Sequence, residues 1–90
     1  MNYLHAEFDL QSTHLVQVTL AGNAANVMLM DDYNFERYKE GRAFSHYGGY
    51  FTKSPVTVKA PFSGHWHVVV DLGGAEGDVN AAIAIVSQAA

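Results

Sequence analysis

Alternating hydrophobic and polar positions divide this chain into short strand-like segments. Residues 14–20 alternate strictly, and a period of two with valine and leucine on one face is typical of a half-buried strand. Residues 65–72 show the same period, with Trp66, Val68 and Val70 on a single face. These two segments predict the central strands of a β-sheet structure.

Shorter apolar segments predict the remaining strands. They are expected at residues 2–9, 26–31, 43–52, 56–58 and 79–87. Residues 26–31 have no polar face, so that strand should be buried on both sides. Within 43–52, the pair Gly48-Gly49 predicts a turn or bulge between two strand pieces, and a further turn is expected at 73–78. The alanine-rich stretch 81–90 is also compatible with a helix.

One segment departs from the strand period. Between Asp32 and Gly41 the chain combines possible N-cap residues, good helix formers and a terminal glycine suited to a C-cap, which predicts a short helix over residues 34–40. With about seven short strands, the whole pattern predicts a small antiparallel β-sandwich or jelly-roll-like barrel. It should form one domain over residues 1–90.

Composition narrows the class of protein. The chain has 90 residues, of which 49% are hydrophobic and 16% charged, enough for one core and too apolar for a disordered protein. It has no cysteine, so disulfides and thiolate metal sites are excluded. The absence of an apolar run of about 18–20 residues leads us to expect a cytoplasmic protein with no membrane partner. The net charge of −4 argues against general nucleic-acid binding.

Basic and aromatic residues are concentrated in the middle of the chain. Residues 33–53, here called the aromatic–basic segment, hold seven of the eleven aromatic residues and four of the five basic ones. Such a combination suits recognition of a small anionic or polar ligand or a protein partner. The alternative is that its phenylalanines and Tyr47 form ordinary core. The candidate ligand-binding residues are Arg37, Tyr38, Arg42, Tyr47 and Tyr50.

Two histidines suggest a different chemistry. His65 and His67 flank Trp66, so on a strand their side chains leave one face about 7 Å apart and could share a metal ion. The alternative is a pair of partly exposed histidines without a ligand. A metal would need a third protein ligand. The candidates for it are His5, His14, His46 and Asp71.

Catalytic motifs are not recognisable in the sequence. Ser54 or Ser63 could be imagined in a triad with His65 and Asp71, but the latter two would lie about 20 Å apart on one strand. The glycines after Leu72 are followed by no Lys-Ser/Thr helix start, so they do not form a phosphate loop. We therefore expect neither an enzyme nor a cofactor.

Several motifs together resemble a known family. They are Gly22–Asp31, Asn34-Phe35, Tyr38, Gly41, Tyr47–Gly49, Ser54–Val56, and Ser63–Trp66 leading into Val68–Gly74. In order and spacing, from about Leu4 to Val86, they resemble a bacterial family known as domain of unknown function 1883. The resemblance implies a small domain that occurs alone or joined to TIR domains, and it brings no catalytic residue with it.

Three hypotheses about function remain. The first is a non-enzymatic accessory module that binds a ligand or a protein partner, TIR-domain proteins included, through the aromatic–basic segment. The second is a metal-binding protein or metal-dependent enzyme that uses His65 and His67. The third is a structural oligomerisation domain that pairs through exposed strand edges near Pro55 and at the C-terminal strand, which would make it a homo-oligomer.

Overall fold

Seven strands and one helix make up the part of the chain that the structure, a computed structural model, describes: residues 3–22, 24–73 and 79–87. In chain order they are β1 (Tyr3–Leu10), β2 (His14–Gly22), β3 (Ala25–Met30), α1 (Asp32–Lys39), β4 (Tyr47–Phe51), β5 (Val56–Lys59), β6 (Gly64–Asp71) and β7 (Val79–Ser87). Each segment expected to form a strand contains one, and the short helix is present.

The strands form two antiparallel sheets that face each other. One sheet has four strands in the order β1-β6-β3-β4, and the other has three in the order β5-β2-β7. The predicted all-β sandwich is therefore confirmed, and no closed barrel is formed by the described strands. Strands β5 and β7 are the two edges of the smaller sheet, so the segments near Pro55 and at the C-terminal strand do lie at sheet edges.

The main core fills the space between the sheets. Its fully or nearly fully buried members are Leu10, Val16, Val18, Ala25, Val27, Leu29, Val56, Val58, Ala60, Trp66, Val68 and Val70. Trp66 is 1% exposed, as the alternation in residues 65–72 predicts. Each valine or leucine buried in this way contributes roughly 1.5–3 kcal/mol.

A second, smaller core lies on the outer face of the four-stranded sheet, where α1 packs. Met28 and Met30 from β3 and Val69 from β6 meet Phe35 and Tyr38 from the helix. Strand β3 is thus covered by the other sheet on one face and by the helix on the other. Its expected burial on both faces is confirmed, and the molecule has three layers.

Helix α1 is held at both ends. At its N-terminus the Asp31 carboxylate accepts a hydrogen bond from the Asn34 backbone N–H at 2.9 Å. At its C-terminus Gly41 has φ +71°, and its N–H donates to the Tyr38 carbonyl oxygen while the next N–H donates to the Arg37 carbonyl oxygen. This is a Schellman motif, for which glycine is the preferred residue. Among the described residues, no helix has the length and apolarity to span a bilayer.

The turn or bulge expected at Gly48-Gly49 is wrong, because both glycines lie inside β4 and pair with β3 in an unbroken register. Gly48 has φ +119°, and a Cβ atom on it would lie 2.1 Å from the carbonyl oxygen of Val27. Glycine is needed here so that β4 can approach β3 closely. The turn expected at 73–78 lies outside the described residues beyond Gly73.

Candidate functional site

Strands β1 and β6 carry a row of polar residues on the outer face of the four-stranded sheet. The two strands are antiparallel, with Glu7 opposite His67 and Asp9 opposite His65. Because side chains alternate along a strand, His5 shares this face with both pairs. Directly opposed Cβ atoms lie about 4.5–5.5 Å apart, so the register alone gathers histidines and carboxylates in one place.

Helix α1 packs against the same face and leaves an open cleft of about 470 Å³, here called the histidine cleft. The cleft is lined by Tyr3, His5, Glu7, Asp32, Phe35, Glu36, Lys39 and His67. Every lining residue belongs to β1, β6 or α1. The polar groups therefore sit on regular secondary structure, which fixes their positions better than a loop would.

The imidazoles of His5 and His67 rest on the ring of Phe35. Both ring centroids lie 4.2 Å from that of Phe35, at interplanar angles of 18° and 12°. The two imidazoles are 13° from coplanar, and His5 Nε2 lies 2.9 Å from His67 Nδ1. Burial, and next the neighbouring His67, lower the pKa of His5, which favours its neutral imidazole.

Asp32 fixes the tautomer of His67. Its Oδ1 atom lies 2.5 Å from His67 Nε2, and an ionised carboxylate can only accept a hydrogen bond. His67 Nε2 therefore carries a proton, and in the neutral imidazole Nδ1 has the lone pair that accepts from the Nε2–H group of His5. Because His67 is 5% exposed, its ring has little freedom to turn away.

His65 holds the neighbouring carboxylates. Its Nδ1 lies 2.8 Å from Asp9 Oδ1 and its Nε2 lies 2.9 Å from Glu7 Oε1. These hydrogen bonds, the one to Glu7 first, raise the pKa of His65 to about 9, and the same bond lowers the pKa of Glu7. At neutral pH, His65 is an imidazolium that donates from both nitrogens and orients Glu7.

The geometry brings two nitrogens and one carboxylate oxygen to a common point. His5, Glu7 and His67 each offer a ligand atom within 4.8 Å of the other two. A second group, Asp32, His65 and His67, meets the same limit and shares His67. Imidazole nitrogen and carboxylate oxygen are the usual ligands of divalent zinc and related ions.

All of these residues fall inside a match to a single protein family, whose model covers residues 1–89. The chain belongs to the domain of unknown function 1883 family. The resemblance seen in the sequence motifs is thereby confirmed. Comparison of this DUF1883 domain with curated proteins and with solved structures found no match.

Three of the candidate ligand-binding residues in this DUF1883 domain lie on α1 or just after it. Tyr38 is 7% exposed, and its hydroxyl donates to Asp71 Oδ2 at 2.5 Å; burial, and next that hydrogen bond, raise its pKa. Arg37 donates to the Ala43 carbonyl oxygen, and Arg42 pairs with a neighbouring glutamate at 3.5 Å. Tyr38 is thus buried and hydrogen-bonded within the protein, whereas the two arginines lie nearer the surface.

The other two candidates lie on the edge strand β4. Tyr47 is 48% exposed and Tyr50 is 64% exposed. Tyr47 packs edge-on against Trp66, with ring centroids 6.0 Å apart, and borders a second cleft of about 320 Å³. That cleft is lined by Met30, Asp31, Asn34, Ser45, His46, Tyr47, Phe62 and Trp66. Tyr47 is the one candidate of the five that lines either cleft.

Of the four residues considered as a third metal ligand, His5 lies in the histidine cleft beside His67. His14 accepts a backbone hydrogen bond at the turn between β1 and β2, and His46 lines the second cleft. Asp71 accepts from Tyr38, from a β3 asparagine and from a backbone N–H. The alternative of two partly exposed histidines is wrong for His67, which is buried.

The serines considered for a triad bind backbone groups instead. Ser54 Oγ accepts from the Leu20 N–H at 2.8 Å, and Ser63 Oγ accepts from the Ser12 N–H at 3.2 Å. In the part of the chain that the structure describes, neither hydroxyl is hydrogen-bonded to a histidine.

Sequence reasoning missed the carboxylates of the site. His5, Glu7 and Asp9 alternate with Leu4, Ala6 and Phe8 along β1 and therefore share the face opposite these apolar side chains. That alternation was the available signal, and it marks a polar outer face. Asp32 had no such signal, because its approach to His67 depends on how α1 packs on the sheet.

Proposed function

We propose that this domain is a non-enzymatic binding module and that its ligand is a positively charged group held in the histidine cleft. The observation that carries this proposal is the convergence of polar atoms from His5, Glu7 and His67 above the apolar ring of Phe35. Ligand sites typically combine apolar walls with a few polar groups aimed at one point. The cleft has that composition and is wide enough for a small ligand.

The charge of the cleft supports a cation. Glu7, Asp32 and Glu36 line it, against a single basic residue, Lys39, whose Nζ lies 2.9 Å from Glu36. The charges of Asp9 and of the His65 imidazolium at the rim cancel each other, so the net charge of the cleft stays negative. A negative cleft attracts cations and repels the anions that the aromatic–basic segment suggested.

A set of exposed aromatic side chains supports the accessory part of the proposal, which is docking of a protein partner. Tyr33, Tyr47, Tyr50 and Phe62 are 67%, 48%, 64% and 53% exposed, respectively. The Arg37 guanidinium lies 5.4 Å from the centroid of the Tyr33 ring, and exposed aromatic residues beside an arginine are characteristic of protein interfaces. A protein partner, such as a joined TIR domain, would dock on these exposed aromatic side chains, none of which lines the histidine cleft.

The test is a thermal-shift and amide NMR screen of the isolated domain. The probes are Zn²⁺, Mg²⁺, spermidine, a nucleoside triphosphate and an acidic peptide. A ligand that binds only the folded state at a hundredfold over its Kd adds about 2.7 kcal/mol of stability. The variants are Glu7→Gln in the histidine cleft and Arg42→Ala in the aromatic–basic segment.

A cation that stabilises the wild type and shifts β1 and β6 amides, with both effects lost in Glu7→Gln, supports the proposal. The Arg42→Ala variant should still be stabilised by the cation and should show the same amide shifts, because Arg42 lies outside the histidine cleft. Stabilisation by the nucleotide or the peptide alone, abolished by Arg42→Ala, would move the binding site to the aromatic–basic segment and overturn it.

A further inference from the structure

We propose that the ligand of the histidine cleft is a divalent zinc-type ion coordinated by His5 Nε2, His67 Nδ1 and Glu7 Oε1. The inference rests on the proposed function, since it takes the cleft as the binding site, and it names the class of cation. Two imidazoles and one carboxylate form a zinc ligand set that leaves one position free.

Two of the three distances between ligand atoms lie close to those around such an ion, and the third, between His5 and Glu7, is within 4.8 Å. Zinc–nitrogen bonds of about 2.0–2.1 Å in a tetrahedron place neighbouring ligand atoms about 3.3 Å apart. His5 Nε2 and His67 Nδ1 are 2.9 Å apart, and His67 Nδ1 and Glu7 Oε1 are 3.8 Å apart. The Glu7 side chain is 52% exposed, so it can adjust while the buried His67 stays in place.

The ion would replace the proton between the two histidines. When both imidazoles are neutral, His5 Nε2–H donates to His67 Nδ1, so His5 Nε2 offers no lone pair and the lone pair of His67 Nδ1 is occupied by the hydrogen bond. If the proton of His5 moves from Nε2 to Nδ1, both lone pairs face the ion and His5 remains neutral. His67 needs no change of tautomer, because its own proton stays on Nε2.

The histidine and carboxylate ligands already have outer partners, that is, residues that hydrogen-bond a metal ligand without touching the metal. Ligating histidines commonly donate their other N–H to a carboxylate, and ligating carboxylates are themselves hydrogen-bonded. Asp32 accepts from His67 Nε2, and His65 donates to Glu7. The site is thus oriented before an ion arrives, which lowers the free-energy cost of binding.

The competing group of Asp32, His65 and His67 fits less well. Asp32 Oδ1 lies 2.5 Å from His67 Nε2, which is a hydrogen bond and too short for two ligands of one ion. His65 Nε2 is 4.0 Å from the same oxygen, and both of its nitrogens contact other carboxylates. His65 and Asp32 are therefore positioning residues.

The experiment is isothermal titration of the metal-free domain with Zn²⁺, followed by Co²⁺ substitution and visible spectroscopy. One equivalent of Zn²⁺ should bind, and Co²⁺ should give the strong absorbance of a four-coordinate site. His5→Gln removes a ligand from the solvent-exposed side of the cleft. It should weaken Zn²⁺ binding by at least about a hundredfold, since even outer partners contribute 10–100-fold.

His46→Gln is the matched control, because it removes an exposed histidine that lies outside the cleft. It should leave the Kd for Zn²⁺ unchanged. Equal Zn²⁺ affinity in wild type and His5→Gln, or loss of binding in His46→Gln, would overturn the inference. Binding of spermidine at the β1 and β6 amides without any Zn²⁺ binding would refute the zinc site and leave the cation-binding module standing. No response to any probe would refute both.

Discussion

The two faces of the four-stranded sheet are built by different physical means, although the same strands supply both. On the inner face, Trp66, Val68 and Val70 are buried against the other sheet by hydrophobic contact, which has no preferred direction. On the outer face, His67 and Asp71 are buried as polar groups, at 5% and 3% exposure. Each of these needs partners at defined distances and angles.

Because the two faces are built differently, we expect the inner face to determine stability and the open end of the outer face to determine ligand affinity. A non-directional core tolerates swaps that preserve volume, whereas a polar cluster loses function when a single donor or acceptor is removed. Changes on the inner face should therefore alter the free energy of unfolding and leave ligand affinity intact. Changes at the open end of the outer face should alter ligand affinity and have a much smaller effect on the free energy of unfolding.

The largest expected effect comes from the inner face. Leu29→Ala should lower the free energy of unfolding by about 2–5 kcal/mol, because Leu29 is 1% exposed and the substitution leaves a cavity. Leu4→Ala makes the same chemical change at a residue that is 38% exposed, and it should cost far less. Urea denaturation of both variants gives the two values. Equal losses would show that the space between the sheets is not the main core.

The second-largest effect on the free energy of unfolding is expected where helix α1 covers the outer face. Tyr38→Phe removes the hydroxyl that donates to the buried Asp71 carboxylate, so one of its oxygens loses its partner. We expect a loss of about 1–3 kcal/mol in the free energy of unfolding. Tyr50→Phe, at a tyrosine that is 64% exposed, is the matched control and should change stability by less than about 0.5 kcal/mol. A loss of the same size in both would contradict the comparison.

The core between the two sheets could be predicted from the sequence because it follows from local alternation. The period of two in residues 14–20 and 65–72 marks which side chains face inward, and the structure buries Val16, Val18 and Trp66 accordingly. The glycines of β4 misled this reasoning. Gly48 serves a close approach to Val27 on another strand, a non-local contact that no local pattern shows.

The outer face depends on pairing between distant parts of the chain. His65 and His67 were identifiable by their spacing, but Glu7 meets His67 only because β1 pairs with β6 in one register. A shift by one residue would turn all of the β1 carboxylates to the other face. Asp32 needs, in addition, the packing of α1 on the sheet. The sequence therefore predicts the fold class and part of the site.

The third effect concerns the outer partners of the proposed zinc ligands. Asp32→Asn keeps the size of the side chain but weakens the acceptor that fixes the tautomer of His67. Zinc affinity should fall by about 10–100-fold, while the Co²⁺ spectrum stays four-coordinate. Glu36→Gln, on the rim of the same cleft, should change the Kd less than Asp32→Asn does. An equal loss in both would show that only the total charge of the cleft matters.

The smallest effect is a pH dependence at the exposed edge of the outer face, measured in EDTA on metal-free protein. Hydrogen bonds to Glu7, and then to Asp9, raise the pKa of His65 to about 9, whereas the unfolded chain has the ordinary value of 6.5. The folded state therefore binds the proton more tightly, and this stabilisation is complete below pH 6.5 and lost as the pH rises through about 9. The melting temperature of wild type should exceed that of His65→Gln at pH 6, and the difference should shrink toward pH 10.

Because the side chains of His65, Glu7 and Asp9 are exposed, added salt should reduce this difference in melting temperature as well. An NMR titration of His65 with a midpoint near the ordinary value would show that its two carboxylate contacts are not maintained in solution, and the proposed orientation of Glu7 would lose its support.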